Sequence, residues 1–467
     1  MRMEFSRLSL ASPCGIVCMA VGMAFSSSAY AQVAPTITTQ PVSQIVNDGE
    51  NAVFTVEASG DAPLTYQWRR NGVNLVNGGR IAGATTPTLS ITGALQQDAG
   101  RYTVVVTNAT GNATSNFGYF SVRSAVWNQF MVNTLPPNGA SPITFDFVRD
   151  IPVVWTSNCS ADPQAATWEL LANTWQIIPT LGRPATCARG YLVYDPLRRV
   201  SVQFGGTGAD NRAYEYNGNT WVRSELDGPV PRFGHRMVAV PSRESIFVFG
   251  GRRVSDNVLT AESYEYTGVS WNTLAATGPA PRQDFAMAYD PRCNKVVVFG
   301  GNGAAGQLGD TWEYDVQAQT WSQHTPANGG PSPRSASTMA YYPDQQAIYM
   351  FGGLVGSNFV NGLWRYDCTT HTWTLAQSIT NPPAAQGYMT YDDARPRLLM
   401  VQNTQVWELL TYAVGCPADF NNNNVVNTQD LFDFINGFFQ GTADFTGDGA
   451  VNSQDFFDYL AAFFTPC

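Results

Sequence analysis

The hydrophobic residues of this chain fall into short runs with a period of two, and turns rich in glycine, proline, asparagine and aspartate separate the runs. Residues 53–57 form one such run, in which every second side chain is expected to face a core. The last fifty residues instead show a helical spacing, with Leu431, Phe434 and Phe438 on one side. The pattern predicts a mainly β protein that ends in a small α-helical domain.

The length of 467 residues predicts more than one core, because a single hydrophobic core seldom grows beyond about 250–300 residues. Composition and periodicity change at three points along the chain. We expect a signal peptide over residues 1–31, a β-sandwich over 33–123, a ring of repeats over 124–412 and a compact tail over 413–467.

The segment 33–123 carries the residues of a particular β-sandwich. Trp68 lies in a short strand, and Tyr102 ends a D-x-G-x-Y sequence at 98–102. This arrangement resembles the immunoglobulin superfamily, in which a tryptophan packs in the core and such a tyrosine closes a corner. The family's disulfide positions fall on Val56 and Val104, so the resemblance implies an immunoglobulin-like domain without that bridge.

The segment 124–412 contains six copies of one internal repeat. Each copy has an aromatic third-strand element, preceded in four copies by an apolar strand ending in Gly-Gly and followed in five copies by a tryptophan. The elements are Trp168-Glu169-Leu170, Tyr214-Glu215-Tyr216, Tyr264-Glu265-Tyr266, Trp312-Glu313-Tyr314, Trp364-Arg365-Tyr366 and Trp407-Glu408-Leu409.

The order of strands, Gly-Gly turn and tryptophan resembles the kelch repeat, a blade of about fifty residues. The resemblance implies a six-bladed β-propeller. The sixth repeat lacks a tryptophan after Trp407, whereas Trp127 lies unpartnered before the first repeat. We therefore expect residues 124–130 to complete the sixth blade and leave the ring without an open edge.

Glutamate recurs in five of the six third-strand elements. Catalysis needs one copy of a residue, so repetition favours a structural contact. We expect the partner to be an arginine of a neighbouring blade, from the sequences Pro231-Arg232, Pro281-Arg282 and Pro333-Arg334.

The three histidines bear on whether the propeller holds a metal, because copper and zinc sites favour imidazoles that converge on one point. His235 precedes a first strand, His324 follows a fourth strand, and His371 lies in a turn between third and fourth strands. That turn belongs to the opposite face of a propeller, so we expect the three side chains not to converge. A ligand is expected on the face where the loops with Asp210, Arg252, Arg253 and Asn302 lie.

The tail contains two twelve-residue loops with oxygen-bearing side chains at positions 1, 3, 5, 9 and 12. A hard cation prefers several oxygens wrapped by one loop, so the spacing predicts two Ca²⁺ sites, with a backbone carbonyl contributed at position 7. The predicted ligands are Asp419, Asn421, Asn423, Val425, Asn427 and Asp430 in the first loop, and Asp444, Thr446, Asp448, Ala450, Asn452 and Asp455 in the second. The second loop has one more carboxylate, so we expect it to bind Ca²⁺ more tightly.

Each loop runs into an amphipathic helix, and aspartate replaces glutamate at position 12 in both. The double C-terminal copy resembles a type I dockerin, an EF-hand-like module. The resemblance implies docking onto a cohesin-like partner through loop positions 10 and 11, which are Thr428, Gln429, Ser453 and Gln454. A calcium-stiffened tail without a cohesin partner is the alternative.

Six cysteines follow residue 31. Cys416 and Cys467 bracket the tail, and we expect them to form a disulfide that stabilises this small domain. Cys159 and Cys187 lie in loops of one face, which is compatible with a second bridge. The repeat pattern places Cys293 near the ring axis and Cys368 at the rim, so we do not expect these two to pair.

The net charge excludes some classes of partner, and the N-terminal residues predict where the protein is found. The formal net charge of −10 argues against nucleic acid and anionic membranes. Arg2 and Arg7, an apolar stretch and the sequence Ala29-Tyr30-Ala31 are typical of a signal peptide. We expect a secreted protein with no membrane span after cleavage, which a docking partner could hold at a cell surface.

Two functions fit these expectations. One is a non-catalytic binding or scaffold protein, whose propeller recognises a protein or a glycan and whose tail docks it. The alternative is a carbohydrate-active enzyme, for polysaccharide hydrolysis or sugar oxidation, with its site on the propeller face.

Overall fold

The computed structural model describes residues 32–132, 142–156, 166–184, 189–274, 277–326, 329–378, 380–393, 395–402, 405–414, 418–420, 428–445 and 450–464. These residues are mainly β, with two α-helices near the C-terminus. The residues of the expected signal peptide lie outside this part, as do Cys159, Cys187, Cys416 and Cys467. Among the described residues, neither helix has the length and apolarity that crossing a membrane would require.

The N-terminal domain is a β-sandwich of short strands. Its strands are β1 Thr36–Thr39, β2 Gln44–Asn47, β3 Ala52–Thr55, β4 Glu57–Ser59, β5 Thr65–Arg70, β6 Val73–Asn74, β7 Ile81–Ala82, β8 Thr88–Ile91, β9 Gly100–Thr107, β10 Asn112–Thr114 and the first part of β11 Gly118–Phe130. Strands β3, β8 and β7 form one sheet, and β2, β11, β9, β5 and β6 belong to the other.

The core of the sandwich has the residues that the sequence predicted. Trp68 is fully buried and donates its indole N–H to the carbonyl of Thr86 at 2.9 Å. The Tyr102 hydroxyl donates to the carbonyl of Asp98 at 2.7 Å, which is the bond of a tyrosine corner. Val56 and Val104 are buried in the same apolar cluster.

Five four-stranded sheets follow, each a meander of antiparallel strands, and a sixth four-stranded blade is part of the larger sheet that continues into the sandwich. The first three blades are β12 Ile143–Asp146, β13 Ile151–Thr156, β14 Ala166–Leu171 and β15 Thr174–Ile178; β16 Tyr191–Asp195, β17 Val200–Phe204, β18 Tyr214–Tyr216 and β19 Trp221–Arg223; and, after the short β20 Arg232–Phe233, β21 Arg236–Val240, β22 Ser245–Phe249, the short β23 Arg252–Arg253 that pairs with β20, β24 Ser263–Tyr266 and β25 Trp271–Thr273.

The other three blades have the same strand order. They are β26 Ala286–Asp290, β27 Lys295–Gly303, β28 Gly306–Asp315 and β29 Thr320–His324; β30 Thr338–Tyr342, β31 Ala347–Phe351, the short hairpin β32 Leu354–Val355 and β33 Asn358–Phe359, β34 Leu363–Asp367 and β35 Thr372–Ala376; and β36 Gly387–Asp392, β37 Arg397–Gln402 and β38 Gln405–Val414. The fourth strand of the sixth sheet is β11.

The six sheets form a closed ring. The innermost strands β12, β16, β21, β26, β30 and β36 each contact the next, and β36 contacts β12. Buried rings fill the wedges between neighbouring sheets, for example Trp221 against Trp155 and Trp373 against Phe299. The blade architecture is therefore continuous around the axis.

Strand β11 belongs to both β domains. Its first residues pair with β9 and β2 of the sandwich, and Val122–Phe130 pair antiparallel with β38 of the sixth blade. Trp127 in this strand is buried against Phe351 of the fifth blade. An ion pair of 2.6 Å between Glu50 and Arg365 also joins the domains. The sandwich therefore contacts the ring through a shared strand and through side chains, and not only through a linker.

Neighbouring blades approach closely at the Gly-Gly turns. Gly205 has φ of +70°, and a Cβ there would lie 2.5 Å from the carbonyl oxygen of Arg232 in the next blade. The following N–H, from Gly206, donates to that same carbonyl at 2.8 Å. Gly251 and Gly301 repeat the bond with the carbonyls of Arg282 and Arg334. A side chain would separate the blades at these positions.

The tail has two helices, α1 Thr428–Phe439 and α2 Ser453–Phe463. Phe434 and Tyr459 stack at 3.9 Å between ring centroids, in a core that Phe445 completes. The Tyr119 ring of the sandwich packs on this core, with its centroid 5.9 Å from that of Phe445. The tail therefore rests on the immunoglobulin-like domain.

Candidate functional site

A channel runs through the ring and has an apolar part on one side. On the face of the turns between first and second strands, a cavity of about 560 Å³ is lined by the innermost strands of all six blades. Pro196, Pro241, Pro291 and Pro343 line it at equivalent turns, together with rings such as Phe147. Most of the surface that this side exposes to the cavity is apolar.

The opposite end of the channel is polar, and we call it the polar mouth. It is a cavity of about 340 Å³ whose lining includes Arg189, Arg236, Asp284, Asn302, Gln386 and Tyr388. Arg189 and Asp284 bridge two blades through contacts of 2.8 and 3.1 Å. Of the four loop residues expected at a ligand-binding face, Asn302 lines this cavity, whereas Asp210, Arg252 and Arg253 lie outside its lining.

Arg236 is the distinctive residue of the polar mouth. Its guanidinium lies 5.1 Å from the ring centroid of Tyr191 and 5.7 Å from that of Tyr388, and it donates to the carbonyl of His235 at 3.1 Å. The residue is only 6% exposed. Among the described residues it forms no ion pair, so its charge is held by aromatic faces and one carbonyl.

The repeated glutamates lie at the seams between blades, as a structural role predicts. Glu169 accepts from Arg149 at 2.6 Å, and Glu265 accepts from Arg243 at 2.5 Å. Glu215 and Glu408 pair in the same way with Arg198 and Arg397. Each arginine comes from the turn between first and second strands, or the start of the second strand, of the same blade.

The predicted partners of the glutamates were wrong. The Pro-Arg arginines are buried and donate instead to Gly-Gly carbonyls: Arg232 to Gly250 at 3.2 Å, Arg282 to Gly300 at 3.0 Å and Arg334 to Gly352 at 3.0 Å. They fix the tight turns of their own blades. The sequence spacing did not separate these arginines from those of the strand turns, because both kinds lie close to a first strand.

A tyrosine of the next blade completes several seams. Tyr216 donates to Glu169 at 2.9 Å, and Tyr266 donates to Glu215 at 2.8 Å. Burial, and next the negative charge of Glu169, raise the pKa of the Tyr216 hydroxyl, so it stays a proton donor. Arginine, glutamate and tyrosine together form a repeated structural contact.

The three histidines do not converge on one point, as expected, but two of them meet at a seam between blades, which was not expected. His235 is buried, and burial lowers its pKa well below the usual value. The rings of His324 and His371 stack, with centroids 3.9 Å apart. His324 lies diagonally across from Glu313 on one face of its sheet, and that face meets the blade-five turn with His371. The two histidines come together because His324 points from the face of its sheet toward blade five, and its place at the end of a strand does not matter.

The cysteines of blades four and five also contradict the expectation. Cys293 and Cys368 form a disulfide, with their Cα atoms 6.3 Å apart. Arg292 spans the same seam, 3.8 Å from Asp367. The sequence assigned one cysteine to the axis and the other to the rim, but twisted sheets lean across each other at the seam and bring the two turns together.

In the tail, the structure describes six of the twelve predicted calcium ligands: Asp419, Asp430, Asp444, Ala450, Asn452 and Asp455. Asp430 and Asp455 are fully buried at the starts of α1 and α2, and Asp455 accepts the N–H of Asn452 at 2.8 Å. Asn421, Asn423, Val425, Asn427, Thr446 and Asp448 lie outside the described residues.

The first predicted calcium loop has two buried carboxylates, Asp419 and Asp430, beside the helical core. Burial, and after it the charges of Asp430 and Asp419, raise the pKa of Tyr459. Both carboxylates therefore lie close to this ring although they occupy opposite ends of the loop. Buried carboxylates are costly without a compensating cation or donors, and oxygen donors of this kind suit Ca²⁺.

The four predicted docking residues are exposed. Thr428 and Gln429 lie at the start of α1, and Ser453 and Gln454 lie at the start of α2. Four phenylalanines of the tail are exposed as well. They are Phe432 and Phe439 on α1, and Phe457 and Phe464 at the same positions of the second unit.

Two family models match parts of the chain. The KLHDC2/KLHL20/DRC7 Kelch-repeats domain matches residues 234–393, and the Immunoglobulin domain matches residues 34–108. Both lie within the β domains described above.

Known proteins resemble shorter parts of the chain. Endoglucanase C of Cellulomonas fimi is 41% identical over 86 residues, and Hemicentin-1 of Homo sapiens is 41% identical over 63 residues. These segments span 18% and 14% of this chain, but only 7% and 1% of the length of the two relatives. The chain therefore spans only a small part of the length of either relative.

Solved titin domains are similar in the same limited way. Titin M4 is 28% identical and a chimeric titin Z1Z2 is 32% identical, each over 20% of this chain, and 99% and 97% of the titin chains are covered. Both have a TM-score of 0.18. The chain contains a kelch-repeat domain and an immunoglobulin-like domain, and this combination suggests a role in protein interaction.

Proposed function

We propose that this chain is a secreted, non-catalytic binding protein whose propeller recognises an anionic group of a protein or glycan at the polar mouth. The observation that carries the proposal is Arg236, a buried arginine that lines the cavity and forms no ion pair among the described residues. The signal-peptide features of residues 1–31 support secretion.

The argument from Arg236 is energetic. A buried charge without a counter-ion destabilises a fold, so such residues are usually paired. The seam arginines follow this rule, but Arg236 does not. A planar guanidinium also fits a carboxylate or sulfate through two parallel hydrogen bonds. A ligand with such a group would supply the missing counter-charge.

The test is a binding screen of the full chain, in calcium, on arrays of glycans and peptides with and without carboxylate or sulfate groups. We expect anionic ligands to bind, and Arg236→Gln to weaken that binding at least about tenfold. Arg252→Gln is the matched control, because Arg252 lies outside the cavity lining and bonds to Gln283 and the carbonyl of Asn257.

Equal binding by wild type and Arg236→Gln would contradict the proposal. Conversion of any glycan during the screen would favour the alternative, a carbohydrate-active enzyme for polysaccharide hydrolysis or sugar oxidation. The segment shared with an endoglucanase does not favour catalysis, because it spans 7% of that enzyme.

For the tail we propose a dockerin-like domain that binds two Ca²⁺ ions and then a cohesin-like partner. The fully buried position-12 carboxylates Asp430 and Asp455 support metal binding. The matching exposed phenylalanines of α1 and α2 support docking, since the two units present equivalent apolar patches beside Thr428-Gln429 and Ser453-Gln454.

Calcium titration of single-site variants tests the first step. The second loop has three carboxylates and the first has two, so we expect Asp444→Ala to remove the tighter of two binding events and Asp419→Ala the weaker. Isothermal calorimetry on the full chain measures both affinities. Equal losses in the two variants would contradict the ranking.

Docking has its own test. A panel of cohesin domains is titrated with the full chain in calcium and in chelator. Calcium-dependent binding is expected, and Phe432→Ala with Phe457→Ala should weaken it, whereas Val269→Ala, an exposed residue of the propeller, should not. Calcium binding without any cohesin binding would favour the calcium-stiffened tail.

A further inference from the structure

The seam between blades four and five has an unusual carboxylate environment. In blades one and two, the arginine that pairs with the third-strand glutamate lies three residues after an aspartate of the strand turn: Arg149 after Asp146, and Arg198 after Asp195. In blade four the same position, three residues after Asp290, is Cys293. This cysteine is bonded to Cys368, and the arginine of the turn, Arg292, pairs with Asp290, so among the described residues Glu313 has no arginine partner.

Two imidazoles take the place of the arginine. His324 Nε2 lies 3.1 Å from Glu313 Oε2, and His371 Nδ1 lies 3.0 Å from Glu313 Oε1. The two rings are nearly parallel, at 12°. One ligand atom from each of the three residues lies within 4.8 Å of the other two.

The hydrogen bonding of this cluster is incomplete. The Glu313 side chain is 0% exposed. Its Oε1 accepts from the Tyr366 hydroxyl at 2.7 Å. Within the described part of the chain, Glu313 Oε2 and His324 Nε2 make no hydrogen bond of acceptable geometry, although they face each other. Buried polar atoms that remain unsatisfied are costly, and a ligand between them would remove that cost.

We propose that Glu313, His324 and His371 bind a Zn²⁺ ion at the seam between blades four and five. Two imidazoles and one carboxylate are a known zinc ligand set, in which a water molecule completes the tetrahedron. Metal–ligand bonds of about 2.0–2.1 Å place neighbouring ligand atoms about 3.3 Å apart, so the three ligand atoms, which already lie within 4.8 Å of one another, need only a small approach. The stacked imidazoles must also rotate so that both nitrogen lone pairs point at the ion, and the partly exposed turn of His371 allows this.

The surroundings suit this ion. His371 is 41% exposed at its side chain, so water reaches the open coordination position. Glu313 and His324 come from blade four and His371 from blade five, so the ion would cross-link the two blades beside their disulfide.

The experiment titrates the full chain with Zn²⁺ in excess Ca²⁺, so that the tail carboxylates are already occupied. Metal content after gel filtration gives the stoichiometry, and Co²⁺ substitution gives a visible absorption spectrum of the ligand field. We expect one Zn²⁺ per chain and a higher melting temperature with zinc than without.

Variants locate the ion. His371→Ala and Glu313→Gln should each weaken zinc binding at least about tenfold and remove the zinc-dependent shift in melting temperature. Glu265→Gln is the matched control, because it alters the equivalent glutamate of blade three, which Arg243 already pairs. It should bind Zn²⁺ as the wild type does.

Three results would overturn the proposal. They are less than one zinc per chain at saturation, wild-type affinity in His371→Ala, or equal loss in Glu265→Gln and Glu313→Gln. His371 is partly exposed in a turn, so its alanine variant should fold, and circular dichroism verifies this. Arg236 is not part of the zinc site, so failure here leaves the proposed recognition at the polar mouth unaffected.

Discussion

The arginines of the blade seams and the arginine of the polar mouth occupy opposite electrostatic situations in one ring. At the seam, Arg149 lies between Asp146 and Glu169, with both contacts at 2.6 Å. At the mouth, Arg236 is more deeply buried than Arg149 and lies between two tyrosine rings, without a carboxylate partner among the described residues.

The difference distinguishes an arginine that stabilises the fold from one that is free to bind a ligand. A charge that is neutralised inside the fold stabilises the fold and has little left for a ligand. A charge that the fold leaves unpaired is available to an external partner, at some expense in stability. The ring thus uses arginine for cohesion between blades, and under the proposed function it uses the same residue type for binding at its axis.

The largest expected effect comes from the rings that fill the seams. Trp221 is buried and donates to the Thr167 hydroxyl of the previous blade at 2.8 Å. Trp221→Ala should lower the free energy of unfolding by about 3–5 kcal/mol, because it leaves a large cavity. Urea unfolding measures it. The exposed neighbour Val222→Ala is the control, and a similar loss there would remove the distinction between seam and surface.

The next effect compares two seam carboxylates. Glu169→Gln leaves Arg149 with one carboxylate in a partly buried site, so we expect a loss of about 2–3 kcal/mol in unfolding free energy. Glu313→Gln removes no arginine pair, and its amide oxygen can still accept from Tyr366, so in zinc-free buffer the loss should stay below about 1 kcal/mol. Equal losses of unfolding free energy would show that pairing with Arg149 does not stabilise the seam.

The smallest effect concerns a buried carboxylate that, like Arg236, forms no ion pair among the described residues. Asp48 lies buried where the sandwich meets the ring, and its Oδ1 has no hydrogen-bond partner in the described part of the chain. Burial raises its pKa from 3.8 to about 6, although Arg80 opposes the shift. The folded state therefore binds the proton more tightly than the unfolded state.

It follows that ionised Asp48 destabilises the fold, and the cost develops as the pH rises from about 4 to about 6. Asp48→Asn should raise the unfolding free energy by about 1–2 kcal/mol at pH 7.5, within the limit of about 3 kcal/mol that the shift allows, and change it little at pH 4. Unfolding curves at the two pH values measure this. A gain of the same size at pH 4 would contradict the assignment to ionisation.

The sequence predicted the periodic parts of the molecule best. The Trp and Gly-Gly repeats and the 98–102 tyrosine corner are local patterns, and local patterns fix strands and turns directly. They predicted the kelch and immunoglobulin-like domains, which the family models support. The structural role of the repeated glutamates also followed from their number.

The unpredicted parts depend on how neighbouring sheets meet. His324 and His371, or Cys293 and Cys368, lie 47 and 75 residues apart, and only the lean of one blade on the next brings them together. Arg236 was missed although a sign was present. Each of the six innermost strands begins with one residue, and Arg236 is the one charged residue among these six. Apolar or small side chains are expected at these positions.

The contrast between the paired and the unpaired arginine is tested most directly by urea unfolding of wild type, Arg149→Gln and Arg236→Gln without ligand. We predict that Arg149→Gln loses about 2–3 kcal/mol, because it strands two buried carboxylates, whereas Arg236→Gln is at least as stable as wild type. A loss in Arg236→Gln as large as that in Arg149→Gln would show that Arg236 belongs to the structure of the ring, and would contradict its assignment to ligand recognition.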